Sequence, residues 1–428
     1  MRRFKKSIAL GVVVLLLVGL GVYIGTDKAR QRTILIAAVE AWTGGTFLIE
    51  GDVSFSIGRI SSFSAERVTF ALPDAGSAGT VGRVRVSIDT LSTVYGPLII
   101  EELLVEQARI RVDDLPDSEN VPANAAGDEV SLPIVERIEI IDTRLDVSLS
   151  KPDEYSTITI DELTVLQVGE GRELEIAGEG LFDDIPLALT GGIGPFEELQ
   201  NSAVNAPLRL TFSSSGGRIT AVGTIFNVFR DAQLDVAVTA IAFSGGLLDR
   251  LTDPLALQDA QINFNGKLLG PIVRPRVADL EASIEGDGFS LELTGEISDA
   301  AYGAGIDVLF KVRVGGDYLH RAIAVVPKYI GLGQIDASGR VRGALTRIDL
   351  SGLDLTAQLT GQARLSASGR VTLAGALGEL NVTDADLTMQ LNAPTAQLLG
   401  DLIDDKLNTI GPIEGEAHLA GSDGTVAL

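Results

Sequence analysis

Gln334 to Leu373 reads QIDASGRVRGALTRIDLSGLDLTAQLTGQARLSASGRVTL. Apolar residues alternate with polar ones, and Gly, Ser or Asp stand at the breaks, so the stretch predicts strand, turn, strand, turn. Its opening, IDASGRVRG, has relatives elsewhere in the chain: LALTGGIGP, INFNGKLLGP and IEGEAHLAG. The marker glycines Gly194, Gly270, Gly343 and Gly421 lie 76, 73 and 78 residues apart. Before three of them comes a segment of mixed helical character: FSGGLLDRLTDPLAL, GGDYLHRAIAVVPKYIGL and APTAQLLGDLIDDKLNTIG. A degenerate unit of roughly 75 residues therefore repeats through the second half, and such repeats predict an elongated stack of supersecondary units. Chance recurrence in a chain with 48 Gly is the rival reading. The fixed order of helix-like segment and Gly turn favours the repeat.

The chain has 428 residues, enough for two or three compact domains or one elongated array. It is 45% hydrophobic but only 5% aromatic, so small and β-branched residues supply the apolar surface, which suits strands. A net charge of −24 argues against binding a phosphate backbone, which needs clustered Lys and Arg. The acidity itself reads as a solvated outer face. With no Cys there are no disulfides, no thiol chemistry and no acylated lipoprotein cysteine. That fits a periplasmic chain without requiring one.

Arg2, Arg3, Lys5 and Lys6 precede Ile8–Gly25, 18 residues with no charge. As a helix this run would be ~27 Å long, close to the hydrocarbon thickness of a bilayer. Ile8, Val12, Leu15, Leu16, Leu17, Leu20 and Ile24 would form the transmembrane anchor. The basic residues before it favour a cytoplasmic N-terminus. A cleaved signal peptide is the alternative, but the exit GVYIGTDKARQR lacks a small-x-small cleavage site. Asp27 to Trp42 predicts a helix stopped by Gly44-Gly45. Trp42, the single tryptophan, fits either the membrane surface or a cap on the first strands.

From Thr46 the period changes to two. TFLIEGDVSFSIG and RISSFSAERVTFAL predict strand pairs. Val84, Val86 and Ile88 then alternate with Arg83, Arg85, Ser87 and Asp89. Ala108, Ile110 and Val112 alternate with Arg109, Arg111 and Asp113. One face is apolar and the other charged, as in sheets wetted on one side.

A basic N-terminus, one span, a short helix ending in Gly-Gly, FLIEGDVSFSIG and then VGRVRVSIDTLSTVYGPLIIEELLVEQARIRVD together resemble the N-terminal domain of the AsmA-like family of Gram-negative envelope proteins, which includes the TamB relatives. The resemblance covers about residues 1–115 and extends loosely through the Gly-turn strands to 428. Its motifs are patterns of residue type rather than of chemistry. It implies long β-grooves with an apolar interior that pass phospholipid between membranes, or a role in outer-membrane assembly.

Asp113 to Pro133 holds three Pro and six acidic residues, so it reads as a loop or linker. The expected organisation is residues 1–25 as cytoplasmic tip and anchor, 26–115 as an AsmA-like α+β cap domain, 116–133 as linker or loop, and 134–428 as repeating β-groove. A long surface loop within one continuous sheet is the alternative to a boundary at 116–133. Turn signals every 8–12 residues from Ile134 onward, about twenty strands in all, mark an all-β array. The chain stops seven residues past Gly421, inside an expected strand pair, which predicts an incomplete product; a naturally short member is the alternative.

No constellation of catalytic residues stands out. His320 and His418, the only histidines, fall in different repeats and read as ordinary helix and strand residues. Asp183-Asp184 and Asp404-Asp405 are neighbours in sequence and read as turn or cap residues. GRVRGALTRIDLSG lacks the βαβ setting of a dinucleotide fingerprint. GDGFS is an Asp-rich turn that could bind calcium weakly, without the nonapeptide repeat of a strong site. The expectation is a protein that is not an enzyme and has no cofactor and no nucleic-acid partner.

The expected fold class is therefore mostly β: an elongated, repeating antiparallel β-groove with short helices, preceded by one transmembrane helix. The candidate groove-lining residues are Val84, Val86, Ile88, Ile110 and Val112, then Leu234, Val236 and Val238. Ile306, Val308, Phe310, Val312 and Val314 complete the set, opposite Asp307, Leu309, Lys311 and Arg313. An apolar face left without a second sheet demands a ligand or partner. The first expectation is a single-pass inner-membrane protein whose periplasmic groove carries phospholipid or another envelope lipid. The second is an assembly factor for outer-membrane proteins that uses strand edges. The third is a closed structural β-array without ligand.

Overall fold

The computed structural model describes residues 45–72, 77–90, 99–112, 134–151, 154–169, 173–200, 204–228, 232–243, 260–316, 318, 332–359, 362–375, 381–395, 411–422 and 425–427. The expected anchor at 8–25, the Asp27–Trp42 helix, the acidic stretch 113–133, most of the three helix-like segments, and His320 lie outside the described residues. The described chain is almost wholly strand, and nearly all its ladders are antiparallel. It divides into two compact units, Met1–Ser215 with Val222–Ala232, and Gly216–Ala221 with Gln233–Leu428.

The first unit begins with two short strands, β1 (Thr46–Ile49) and β2 (Val53–Ser56), both paired with the long β3 (Ile60–Leu72). Then follow β4 (Ser77–Asp89) and β5 (Ile99–Val112). After β6 (Ile134–Val135) come β7 (Arg137–Lys151), β8 (Glu154–Val168), β9 (Glu173–Phe182) and β10 (Ile185–Ile193). Helix α1 (Phe196–Gln200) leads to β11 (Asn205–Ser214), and β12 (Gly217–Phe226) is shared between the units. β5 runs parallel to β6 and β7, an exception to the expected antiparallel order. A parallel neighbour needs a crossover of a dozen or more residues, and 113–133 is long enough to supply it.

A crease crosses this unit. In β3 the apolar phase is odd at Phe63 and Ala65 and even at Val68 and Phe70. The same slip occurs in β4 at Gly82, in β5 at Gln107, in β7 at Asp142 and in β8 at Asp161. Arg67, Gln107 and Asp142 take positive φ there, at 50°, 53° and 50°. Each is one extra residue that returns the apolar side chains to the same face. Where β1 gives way to β2, Gly51 meets the crease, and a Cβ there would lie 2.4 Å from the Glu66 carbonyl oxygen. Only glycine fits without movement.

The second unit is an antiparallel meander. Its strands are β13 (Gln233–Phe243), β14 (Gln261–Pro271), β15 (Arg276–Gly286), β16 (Phe289–Asp299) and β17 (Ala304–Gly315). They continue as β18 (Leu332–Ala344), β19 (Arg347–Leu359), β20 (Arg364–Ala374), β21 (Asn381–Ala393), β22 (Ile413–Ser422) and β23 (Thr425–Ala427). Gly270, Gly343 and Gly421 fall near the ends of β14, β18 and β22, and Gly194 just past β10. The 75-residue period is therefore a four-strand unit. Each helix-like segment leaves β13, β17 or β21 and returns as β14, β18 or β22, and the two flanking strands pair directly. All three segments thus depart from the same end of this meander. Asp183-Asp184, both with positive φ, make the two-residue β9–β10 turn, as expected from sequence.

Candidate apolar binding face

Registers in the second unit align residues of one kind across many strands. Ala242, Ile262, Ile284, Leu291, Val312, Ala337, Leu355, Ala367, Met389 and Ala417 are successive cross-strand partners from β13 to β22. Every member is apolar. One residue along each strand from β14 to β22, the partners are Gln261, Glu285, Ser290, Arg313, Asp336, Thr356, Ser366, Gln390 and Glu416, and every one of these is polar; on β13 the row ends at Phe243. Because side chains alternate across a strand, the two rows occupy opposite faces.

The apolar row is not packed shut. All its members except the buried Ala367 are half-buried. Alanine takes many of the buried positions of this unit, and Val236, Val277, Leu280 and Val308 are the larger buried side chains among the described residues. Val277, Leu280 and Val308 form one closed cluster, with Phe264, Leu293 and Ile306 packed around it. Elsewhere among the described residues most of the large apolar side chains of this face remain half-buried.

The first unit has rows of the same kind. Val53, Ala65, Val84, Val105, Ile140, Leu163, Gly178, Leu189 and Phe212 are successive partners from β2 to β11. Phe55, Phe63, Val86, Leu103, Ile138, Val165, Ile176, Gly191 and Leu210 form a second. Ile49, Phe63 and Ala65 make a small closed core, with the Phe55 ring 5.0 Å from that of Phe63.

Most of the thirteen candidate lining residues have apolar cross-strand partners, whereas Ile88 and Val112 pair with Ser61 and Ser77 on one side. Val84, Val86, Ile110 and Val112 are half-buried and Ile88 is buried. Leu234 and Val238 are half-buried and pair with Gly270 and Gly266, while Val236 is buried opposite Leu268. On β17, Ile306, Phe310, Val312 and Val314 are half-buried and Val308 is buried. Leu309 is exposed with Lys311 and Arg313. Sequence reasoning missed the crease, although the slip from odd to even apolar phase in β3, β4, β5, β7 and β8 is its signal.

The opposite face of the second unit is a ladder of exposed ion pairs. The Arg340 guanidinium donates to Asp307 at 2.7 Å, and Arg342 lies 3.4 Å from the same carboxylate. The hydrogen bond from Arg340 is the main reason the Asp307 carboxyl titrates below its ordinary range. Arg313 donates to Asp336 at 2.8 Å, and this bond first, then one from Gln334, lowers Asp336. His418 Nε2 lies 3.6 Å from Asp386. On the polar face of the first unit, Arg83 bridges Glu66 and Glu106 at 3.2 and 3.1 Å. The crease opens a pocket of about 600 Å³ lined by Glu50, Arg67, Gln107, Arg109 and Asp142, among others. Its two carboxylates and two guanidinium groups balance, so it favours neither sign of ion.

Among the described residues no group of three metal-ligating side chains is placed to hold an ion; the GDGFS stretch is the β15–β16 hairpin turn. No helix of the described residues is long and apolar enough to cross a membrane. No family model matches the chain. No curated protein matches it either.

Proposed function

We propose that the protein is a single-pass inner-membrane protein whose periplasmic β-groove holds the acyl chains of phospholipid or another envelope lipid. One observation carries this reading: an apolar row that crosses ten strands and is half-buried at nine of its ten positions. A continuous apolar face of that extent calls for something to cover it. An acyl chain contributes ~0.8 kcal/mol for each methylene it buries, and it needs no specific polar partner along its length. Its headgroup would remain at the solvated margin. The function then belongs to the row and to no single residue. The uncharged run Ile8–Gly25 behind four basic residues supports the anchor.

The test is lipid content. The full chain, extracted and purified in a detergent that exchanges slowly, should carry phospholipid identifiable by mass spectrometry. Val312→Asp, which puts a carboxylate into the row, should purify folded and largely empty. A wild-type protein that is free of lipid, or a Val312→Asp variant that keeps its full complement, would overturn the reading.

A further inference from the structure

The second unit ends in turns that are apolar where turns are ordinarily polar. The β14–β15 turn carries Ile272 and Val273, which are 53% and 56% exposed. The β16–β17 turn carries Tyr302 at 56%, and the β18–β19 turn carries Leu345 at 39%. In an antiparallel meander these three turns lie at one end, opposite to the end from which the helix-like segments depart. They are also joined to one another. The Ala300 amide donates to the Pro275 carbonyl at 2.9 Å, and the Leu345 amide to the Gly303 carbonyl at 3.0 Å. Arg274 donates to Asp299 at 2.6 Å, and its guanidinium lies 5.0 Å from the centre of the Tyr302 ring. Leu345 lies over Gly303, where a Cβ would come within 2.3 Å of its Cδ1. The four exposed side chains are thus held on one tied rim.

The charge of this rim runs against that of the chain. The turns Pro271–Arg276, Asp299–Ala304 and Ala344–Arg347 contain Arg274, Arg276 and Arg347, in a chain of net charge −24. Arg274 pairs with Asp299 and Arg276 with Glu296 on the adjoining strand, and Arg347 stands outside these pairs, so the rim keeps an excess of one positive charge. Protruding aliphatic tips, a tyrosine and an excess of arginine match the boundary layer of a bilayer. There the aliphatic groups reach the acyl chains, tyrosine sits at headgroup level, and arginine meets phosphate. We infer that this rim docks on the surface of a bilayer containing anionic phospholipid. The inference concerns a different surface from the apolar row and stands without lipid in that row.

The absence of Cys makes a site-specific probe straightforward. The full chain bearing Leu345→Cys, labelled with an environment-sensitive fluorophore and held in phosphatidylcholine nanodiscs, is mixed with vesicles of phosphatidylethanolamine and phosphatidylglycerol whose acyl chains are brominated. Docking predicts a blue shift and quenching by the added vesicles, and neither at Thr294→Cys, which is exposed on the polar face. Ile272→Ser with Val273→Ser should weaken vesicle binding about tenfold or more. Arg347→Glu should weaken it about tenfold on phosphatidylglycerol and little on phosphatidylcholine. No shift with either vesicle overturns the inference. So does a shift that grows with protein concentration in the absence of vesicles, which would mark contact between copies. Bound lipid measured on the same samples separates the two proposals: a chain that keeps its lipid and ignores vesicles sinks the docking rim alone, and a lipid-free chain that docks sinks the lipid-binding row alone.

Discussion

Val308 and Val312 are two turns of the same alternation, and sequence treats them alike. Their neighbours differ. Val308 is 5% exposed against Val277 and Leu280, whereas Val312 stands half-buried between Leu291 and Ala337. A carboxylate at 308 would be buried without a partner, at a cost of about several kcal/mol. Val308→Asp should therefore unfold, or melt far below the wild type. Val312→Asp should melt close to it, because water reaches the half-open row. Arg313→Asp is the control. Its guanidinium is exposed and pairs with Asp336 across the ladder, so the variant should shift the melting temperature little and leave bound lipid unchanged. Thermal unfolding and lipid content of all three variants decide the matter. Equal melting temperatures for the two aspartate variants would contradict the distinction between closed cluster and open row.

At the scale of the element, the crease gives β3, β4, β5, β7 and β8 their shared slip of apolar phase. Gly51 is where it can be tested most sharply. Gly51→Ala must move the backbone away from the Glu66 carbonyl oxygen and should cost about 1–3 kcal/mol. A denaturant midpoint unchanged from the wild type would show that the approach is not a constraint. The ion-pair ladder of the second unit has a pH signature. Asp307 and Asp336 are held below the ordinary carboxylate range, chiefly by hydrogen bonds from Arg340 and Arg313. Their contribution is complete at neutral pH and is lost as pH falls below the ordinary range, about 4, through their folded-state values. The combined Asp307→Asn and Asp336→Asn variant should melt slightly below the wild type at pH 7, and the gap should close at about pH 2. Both groups are close to solvent, so the gap is small. A gap that widens in acid would refute the assignment.

For the whole molecule, the two compact units repeat one arrangement: apolar residues lined up on one face and charged or polar residues on the other. That arrangement places the functional capacity of the chain in extended surfaces. The proposed topology, with the bulk of the chain on the far side of the inner membrane from its N-terminus, has its own test. A reporter that is active only in the cytoplasm, fused after Gly45, should be silent in cells, and the mature protein should keep its first twenty or so residues. Reporter activity, or a processed N-terminus beyond that run, would remove the anchor from the proposal.

Strand identity, the apolar and polar faces, and the recurring glycine unit were already legible in the sequence. Each rests on a period-two pattern or a turn residue, and these act over a few neighbouring residues. QIDASGRVRGALTRIDLSG names β18, its turn and the start of β19 without any knowledge of their partners. Other features needed strands distant in sequence to come together. The parallel meeting of β5 with β7 depends on where the chain returns after residue 133. Whether Val308 is sealed or Val312 left open depends on Val277 and Leu280, which lie some thirty residues away. The tied rim of Ile272, Tyr302 and Leu345 exists only because three turns of a meander end side by side. Alternation within one strand assigns a side chain to a face; cross-strand register decides its neighbours, and those neighbours determine how far it is buried and which surface it helps to form.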